Sequence, residues 1–181
     1  FVGYENLRSE VKISRFRKVT QKDKKLYHLV FNQTPFYAES GGQVGDVGSI
    51  DDGEEKIRIH NTFKEHGLVI HVSECLPKDP SGVFEASVTD KTREATARNH
   101  TATHLLHYAL RKVLGSHVEQ KGSLVNAEYL RFDFSHFQKV TEDEIAAVEK
   151  MVNARIRENI PGNIQYDVPI ETAKKMAVWG I

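Results

Sequence analysis

The sequence predicts an α+β fold in which a small N-terminal β-barrel packs on an α+β subdomain with one long helix and a mostly antiparallel sheet. Short segments rich in β-branched and aromatic residues recur through the first ninety residues, which is typical of a small barrel. At Asp90 the apolar period changes, and a long stretch without Pro or Gly follows. We therefore expect a glycine-rich β-barrel subdomain over residues 1–90 and an α+β subdomain over residues 91–181, truncated at its C-terminus.

Five segments of the first half alternate apolar and polar residues between turn signals. They are Val11 to Lys18, Leu26 to Asn32, Glu55 to Phe63, Leu68 to Val72 and Gly82 to Thr89. A glycine-rich stretch, Glu39 to Gly48, interrupts them, and no Gly-Lys-Ser/Thr follows it, so it is not a P-loop. Its glycines can adopt positive φ in a tight turn or allow a neighbouring backbone to approach closely.

The second half begins with a predicted helix of about six turns. Asp90 is a suitable N-cap, Lys91 to Leu114 contains neither Pro nor Gly, and Gly115 is a suitable stop. The elements expected after it are strands at Val118 to Val125 and Tyr129 to Phe134, a helix opened by a Thr141–Glu144 capping box and ending near Asn159 to Pro161, a strand at Ile164 to Val168 and a helical run at Ile170 to Val178.

Composition excludes some classes of protein. The 181 residues carry 25 Lys and Arg against 25 Asp and Glu, so net charge alone does not favour nucleic acid. No apolar run approaches the roughly 20 residues of a membrane span. One cysteine, Cys75, rules out an internal disulfide and suggests a reducing compartment, the cytoplasm. Since the chain starts at Phe1 without a signal segment, we expect it to be a piece of a longer protein.

Three histidines of the long helix are candidate metal ligands. His100 and His104 are four residues apart and His104 and His107 are three apart, so either pair could share one helix face and contact one ion. Two histidines are half of a tetrahedral zinc site, and such spacing also occurs in surface or core histidines without metal. Thr101 occupies the position of the glutamate in the zinc-protease pattern His-Glu-x-x-His, which excludes peptide hydrolysis by that mechanism.

Small polar residues surround these imidazoles. Thr103 lies between the histidines and Gln120 follows the helix, a setting that fits a small polar ligand. Each also has a structural interpretation, because a helix threonine can bond back to a carbonyl and a glutamine before a turn can simply be exposed.

Four motifs together resemble the editing region of alanyl-tRNA synthetases, and the resemblance runs nearly end to end. They are His-Thr-Ala-Thr-His-Leu-Leu-His, Gln-Lys-Gly-Ser, Leu-Arg-Phe-Asp-Phe-Ser-His-Phe and Glu-Ser-Gly-Gly-Gln-Val-Gly-Asp. The segments at both ends are similar to those that bound this region in the full-length synthetase rather than in its free-standing relatives. The resemblance implies a glycine-rich barrel followed by a subdomain similar to the editing domain of threonyl-tRNA synthetase.

The resemblance also implies a zinc site that this chain holds only in part. In the family two histidines of a His-x-x-x-His motif, here His100 and His104, bind zinc with a Cys and a His of a later Cys-x-x-x-His motif. That later motif has no counterpart, and Cys75 lies at an unrelated position. We therefore expect weak or absent zinc binding, and an inactive site, in this chain alone. ATP would belong only to the aminoacylation domain that this chain lacks.

The implied activity is hydrolysis of the ester that joins serine or glycine to the terminal ribose of alanine-specific tRNA, as part of an alanine–tRNA ligase. Thr103 and Gln120 match positions of editing specificity, so both are expected in the catalytic site. The expected partner is the acceptor end of a mischarged tRNA(Ala), with no membrane and no known protein partner. The alternatives are a non-catalytic tRNA-positioning or structural module and a free-standing editing hydrolase.

Two further groups of residues have more than one interpretation. The segment from Leu130 to Phe137 could stack bases on its aromatic rings, but alternation places Leu130, Phe132 and Phe134 on one face, as in a core strand. Some basic residues could contact phosphates, and the sequence does not say which. They are Lys91, Arg93, Arg98, Arg111, Lys112 and Lys121.

Overall fold

The computed structural model describes residues 1–21, 23–161, 168–169 and 171–172. The elements within this part of the chain are β1 (Arg8–Gln21), β2 (Lys24–Phe31), β3 (Gly48–Asp51), β4 (Lys56–Ile59), β5 (Asn61–Glu65), β6 (Leu68–Ser73), β7 (Val83–Val88), α1 (Asp90–Leu114), β8 (Gln120–Val125), β9 (Leu130–Phe134) and α2 (Glu142–Arg157). The fold is therefore α+β with mostly antiparallel strands, as the sequence predicts. The predicted strand at Ile164 to Val168 and the predicted helical run at Ile170 to Val178 lie almost entirely outside the described residues.

The described residues form two compact units. The first comprises Phe1–Thr96 with Asn126–Glu128, and the second comprises Ala97–Val125 and the described residues after Glu128. None of the described helices is both long and apolar enough to cross a membrane.

The first unit is a seven-stranded antiparallel sheet rather than a closed barrel. Its strand order is β4-β3-β7-β1-β2-β6-β5, which leaves β4 and β5 as unpaired edges. The single predicted strand Glu55 to Phe63 is divided at His60, whose N–H donates 2.8 Å to the Val72 carbonyl. Because β4 and β5 are joined by one residue, they follow each other end to end and do not pair side by side. The prediction of a barrel was wrong on this point.

Strand β1 is shared by the two halves of this sheet. Its first residues pair with β7 and its later residues pair with β2, with a bulge between Ile13 and Arg15. The inward residues of these strands form one apolar core, as period-two alternation requires. The buried members of this core are Val11, Leu29, Phe31, Phe36, Ile50, Ile57, Ile59, Phe84, Ala86 and Val88.

Strand β3, with the sequence Gly-Ser-Ile-Asp, was not predicted. It nevertheless pairs with both β4 and β7, and Ile50 is fully buried in the core. A Cβ at Gly48 would lie 2.0 Å from the Ser87 carbonyl oxygen, so only glycine allows β3 to approach β7 here.

The glycine-rich stretch is a tight turn with a close backbone approach, as its composition predicts. Gly41 and Gly42 adopt φ of 59° and 82°, between Ser40 and Gln43, which bond to each other. At Gly45 a Cβ would lie 1.8 Å from the Thr62 carbonyl oxygen. This segment therefore has a structural reason for its glycines.

A buried ion pair attaches this turn to the start of α1. The guanidinium of Arg93 donates through Nε to both carboxylate oxygens of Asp46, at 3.0 and 2.9 Å, and through its terminal nitrogens to the carbonyls of Gly3 and Pro35. Asp46 also accepts the N–H of Tyr37 at 2.7 Å. Arg93 is therefore committed to holding the unit together and is not available to a phosphate.

The second unit contains the rest of α1, the hairpin β8–β9 and α2. The predicted helix Lys91 to Leu114 is confirmed; it ends at Leu114 and is followed by Gly115, which has a φ of 116°. Its start differs by one residue, because the Thr89 carbonyl accepts the N–H groups of Thr92 and Arg93 and Asp90 lies in the first turn. The acidic side chain at this end still complements the helix dipole.

Helix α2 begins as predicted. The side chain of Thr141 accepts the N–H of Glu144 at 3.3 Å, and the Glu144 carboxylate accepts the N–H of Thr141 at 2.8 Å, which completes the capping box. Its residue Val148 packs in a second apolar core with Leu110 of α1 and Val118. Phe132 and Phe134 pack against the same core, which favours the core interpretation of β9.

Candidate functional site

The His100 and His104 rings lie side by side on α1. Their ring centroids are 5.2 Å apart and their planes differ by 13°, so one face of the helix presents both imidazoles. His104 is exposed, whereas His100 is half-buried. Burial, and secondly the neighbouring His104, lower the pKa of His100, which keeps this imidazole neutral near pH 7. A neutral imidazole is the form that binds metal.

His107 has a different environment from the other two histidines. Its ring centroid lies 5.1 Å from that of Phe132, and its Nε2 is buried with no hydrogen-bond partner in the described part of the chain. Burial lowers the pKa of His107, against the effect of a hydrogen bond with the Val118 backbone. Of the two candidate pairs, the geometry therefore favours His100 with His104.

Thr103 is buried beside the pair. It is 6% exposed, and its hydroxyl donates 2.8 Å to the Asn99 carbonyl, one helical turn earlier. Thr101 makes the same kind of bond to Ala97 at 3.2 Å, but it is exposed. The Thr103 hydroxyl has thus used its only proton and retains acceptor capacity.

Gln120 lies at the start of β8, where the pairing with β9 shifts between Gln120 and Gly122. The side chain is exposed, and its Nε2 donates 3.1 Å to the Ser123 hydroxyl. None of the hydrogen bonds recorded among the described residues joins Gln120 to Thr103 or to the histidine pair. The catalytic assignment of Thr103 and Gln120 stays a prediction.

The donor set fits zinc only in part. No group of three or more His, Cys, Asp or Glu side chains in the described ranges is arranged to hold a metal ion. His100 and His104 are suited to supply two of the four ligands of a tetrahedral site, and a third protein ligand would have to come from elsewhere.

A second histidine pair was not predicted. His117 Nε2 and His136 Nδ1 are 2.9 Å apart, and the exposed ring of Phe137 stacks on His117 with a 4.7 Å centroid separation. These two histidines are nineteen positions apart in the sequence, so no local spacing could indicate their contact.

Most of the basic residues considered for phosphate contact interact within the described part of the protein, and Lys112 lies over the Tyr108 ring with its Nζ 5.4 Å from the ring centroid. Arg93 pairs with Asp46, Arg111 donates 3.1 Å to the Val118 carbonyl, and Lys121 pairs with an exposed Glu119 at 2.9 Å.

The comparison with protein-family models identifies the class of protein to which the first unit is similar. Residues 1–88, which lie in the first unit, match the family model of class II tRNA synthetases (A). Similar proteins are then found over the whole chain. The chain is 54% identical over 181 residues to the alanine–tRNA ligase of Cytophaga hutchinsonii, covering 100% of this chain and 21% of that protein. It is 53% identical over 176 residues to that of Bacteroides fragilis strain ATCC 25285, covering 97% of this chain and 20% of that protein.

A more divergent relative agrees with these two. The alanine–tRNA ligase of Porphyromonas gingivalis is 48% identical over 183 residues, with 100% of this chain and 21% of that protein covered. The chain is similar to alanine–tRNA ligases over its whole length, and it spans about a fifth of the length of these curated relatives.

Proposed function

We propose that this chain is the editing region of an alanine–tRNA ligase, and that within the full-length ligase it hydrolyses the ester of serine or glycine mischarged onto alanine-specific tRNA in the cytoplasm. The observation that carries the proposal is the parallel placement of His100 and His104 beside the buried hydroxyl of Thr103. The similarity to alanine–tRNA ligases over the whole chain supports the tRNA substrate.

An alanine-specific enzyme needs such a site because its synthetic pocket cannot reject close analogues. Serine adds one hydroxyl to alanine and glycine lacks one methyl, differences worth only about 10 to 200-fold in discrimination. A second site that bonds the seryl hydroxyl would bind a correct alanyl ester poorly, because the buried polar group would then lose its partner.

Thr103 is suited to read that hydroxyl as an acceptor. Its proton is donated to the Asn99 carbonyl, so its oxygen can accept a hydrogen bond from a seryl hydroxyl. The Gln120 side-chain amide, which now bonds Ser123, could donate to the ester or amino acid. In the hydrolysis, water attacks the ester carbonyl carbon, the bond to the ribose oxygen breaks, and free amino acid and a tRNA hydroxyl are released.

Zinc is the metal that the family implies for this site. His100 and His104 would hold it through two imidazoles, and the bound ion would orient the tRNA end or activate water. The lowered pKa of His100 favours the neutral ligand form.

The test is deacylation of Ser-tRNA(Ala) by the full-length ligase that contains this chain. We expect His100→Ala and His104→Ala to abolish release of serine while alanine activation and transfer remain intact. Thr101→Ala is the matched control, because Thr101 is exposed on the same helix turn and bonds only back to its own helix. Unchanged serine release in both histidine variants would refute the proposal.

A non-catalytic tRNA-positioning module is the second candidate, and one observation favours it. The Thr103 side chain is 6% exposed and bonded within the helix, which is also the arrangement of a purely structural threonine. In that case Thr103→Val would leave serine release unchanged, whereas editing requires Thr103→Val to slow it.

A further inference from the structure

A polar groove in the first unit lies on one face of four neighbouring strands. Its volume is about 550 Å³. The residues that line it are Arg8, Val47, Gly48, Ser49, Lys56, Arg58, Ser87, Val88 and Thr89. We refer to it as the Arg8–Arg58 groove.

The strand register places two arginines at the ends of one row across this groove. Arg8 of β1 pairs with Ser87 of β7, Ser87 pairs with Ser49 of β3, and Ser49 pairs with Arg58 of β4. Directly paired residues of antiparallel strands project from the same face. The row therefore reads Arg, Ser, Ser, Arg, and three strand spacings separate the two arginine backbones by about 14 Å.

The lining carries three cations and no carboxylate. Lys56 is partly neutralised by Asp51, with their charged atoms 3.9 Å apart. Arg8 and Arg58 are exposed, and neither guanidinium group makes a hydrogen bond or ion pair with any residue that the structure describes. The acidic residues Glu10 and Glu85 belong to the next row along the strands and do not line the groove.

This arrangement fits an oxyanion better than a neutral ligand. Each guanidinium offers a fork of N–H donors that matches phosphate oxygens, and the two serine hydroxyls between them can donate without adding charge. The balanced charge of the whole chain makes the local concentration of unpaired cations informative, since the overall field does not create it.

We propose that the Arg8–Arg58 groove binds the phosphate backbone of RNA. The inference rests on the proposed function for its choice of polyanion, because an editing substrate is a tRNA. It assigns to the first unit a binding role separate from the histidine pair of α1. Neither Arg8 nor Arg58 is among the basic residues that the sequence suggested.

The experiment measures the binding of an RNA hairpin to this chain by fluorescence anisotropy over a range of salt concentrations. The hairpin is labelled with fluorescein and has a single-stranded 3′ end that carries no amino acid. We expect Arg8→Gln and Arg58→Gln each to weaken binding by about tenfold and to lower the salt slope by about 1. Both positions are exposed, and circular dichroism melts confirm that each variant is folded. Arg15→Gln is the matched control, because Arg15 is an exposed arginine of β1 outside the groove.

Three outcomes would overturn the proposal. One is that the groove variants bind RNA as Arg15→Gln does. Another is that inorganic phosphate at equal phosphate concentration competes as well as the RNA, which would indicate a site for free phosphate. The last is that Arg58→Gln abolishes binding of a poly-glutamate peptide but leaves RNA binding intact. Because the RNA carries no aminoacyl ester, failure of hydrolysis by the histidine site would not affect any of these measurements.

Discussion

Replacing Arg93 with Met should destabilise the first unit strongly, because the change removes one member of a buried ion pair. The side chains of Arg93 and Asp46 are 14% and 5% exposed. The Arg93 guanidinium also serves the carbonyl groups of Gly3 and Pro35, at 2.7 and 3.0 Å. Met fills a similar volume but leaves a carboxylate and two carbonyls without these donors.

The magnitude follows from what remains buried. Removing one partner of a buried pair costs about 3–5 kcal/mol, since the other charge stays desolvated. The N–H of Tyr37 still donates to Asp46, which places the expected loss for Arg93→Met near the lower end, at about 3 kcal/mol. Replacing both partners, in Arg93→Met with Asp46→Leu, should recover part of that loss because no unpaired charge is left.

Urea unfolding followed by circular dichroism measures this loss. Arg17→Met makes the same chemical change at an exposed pair with Glu65, whose side chains are 54% and 35% exposed, and should have little effect. Two results would refute this reasoning. One is that Arg93→Met lowers the unfolding free energy no more than Arg17→Met does. The other is that the double replacement is as unstable as Arg93→Met alone, because the loss would then not come from an unpaired buried charge.

Three further predictions concern a buried histidine, a glycine and the metal. Burial lowers the pKa of His71 to about 4, so between about pH 6.5 and 4 the unfolded chain takes up a proton that the folded chain does not, and unfolding free energy should fall by about 3 kcal/mol across that range. A pH titration of the urea midpoint tests this, and an equal slope in His71→Gln would contradict it. Gly45→Ala should lower the unfolding free energy by more than about 2 kcal/mol, because the added Cβ would lie 1.8 Å from a backbone oxygen. Gly82→Ala should lower it much less, because there the nearest backbone oxygen is 3.3 Å away. Urea midpoints that fall equally in the two variants would contradict this. Metal analysis after dialysis should find less than one zinc per chain, because two imidazoles leave most of the ion to water, and one tightly held zinc would refute this.

The sequence predicts an element well where the signal is local. The start of α2 depends on Thr141 and Glu144, three residues apart, and both the cap and the helix appear as predicted. Closure of a sheet is not local in this sense. It depends on which strands become edges, and the single residue His60 between β4 and β5 decides this without any distinctive composition.

The same distinction applies to the candidate sites. The His100–His104 pair could be predicted because four residues are about one helical turn. The row from Arg8 to Arg58 could not, because it depends on the register of three separate strand pairs that extend along the chain from Arg8 to Ser87. Strand β3, the central link in that row, is also the strand whose Gly-Ser-Ile-Asp sequence does not indicate a strand.

Under the proposed function, the Thr103 hydrogen bond bears on which wrong amino acid is removed more efficiently. Because the hydroxyl proton is donated to the Asn99 carbonyl at 2.8 Å, the oxygen is left as an acceptor. A seryl ester offers a hydroxyl donor to that oxygen, and a glycyl ester offers none at the same position. The discrimination energy of Thr103 would therefore favour serine, while glycine would be accepted only because it is small. The buried Thr103 side chain would then make seryl esters better substrates than glycyl esters, through the direction of one hydrogen bond.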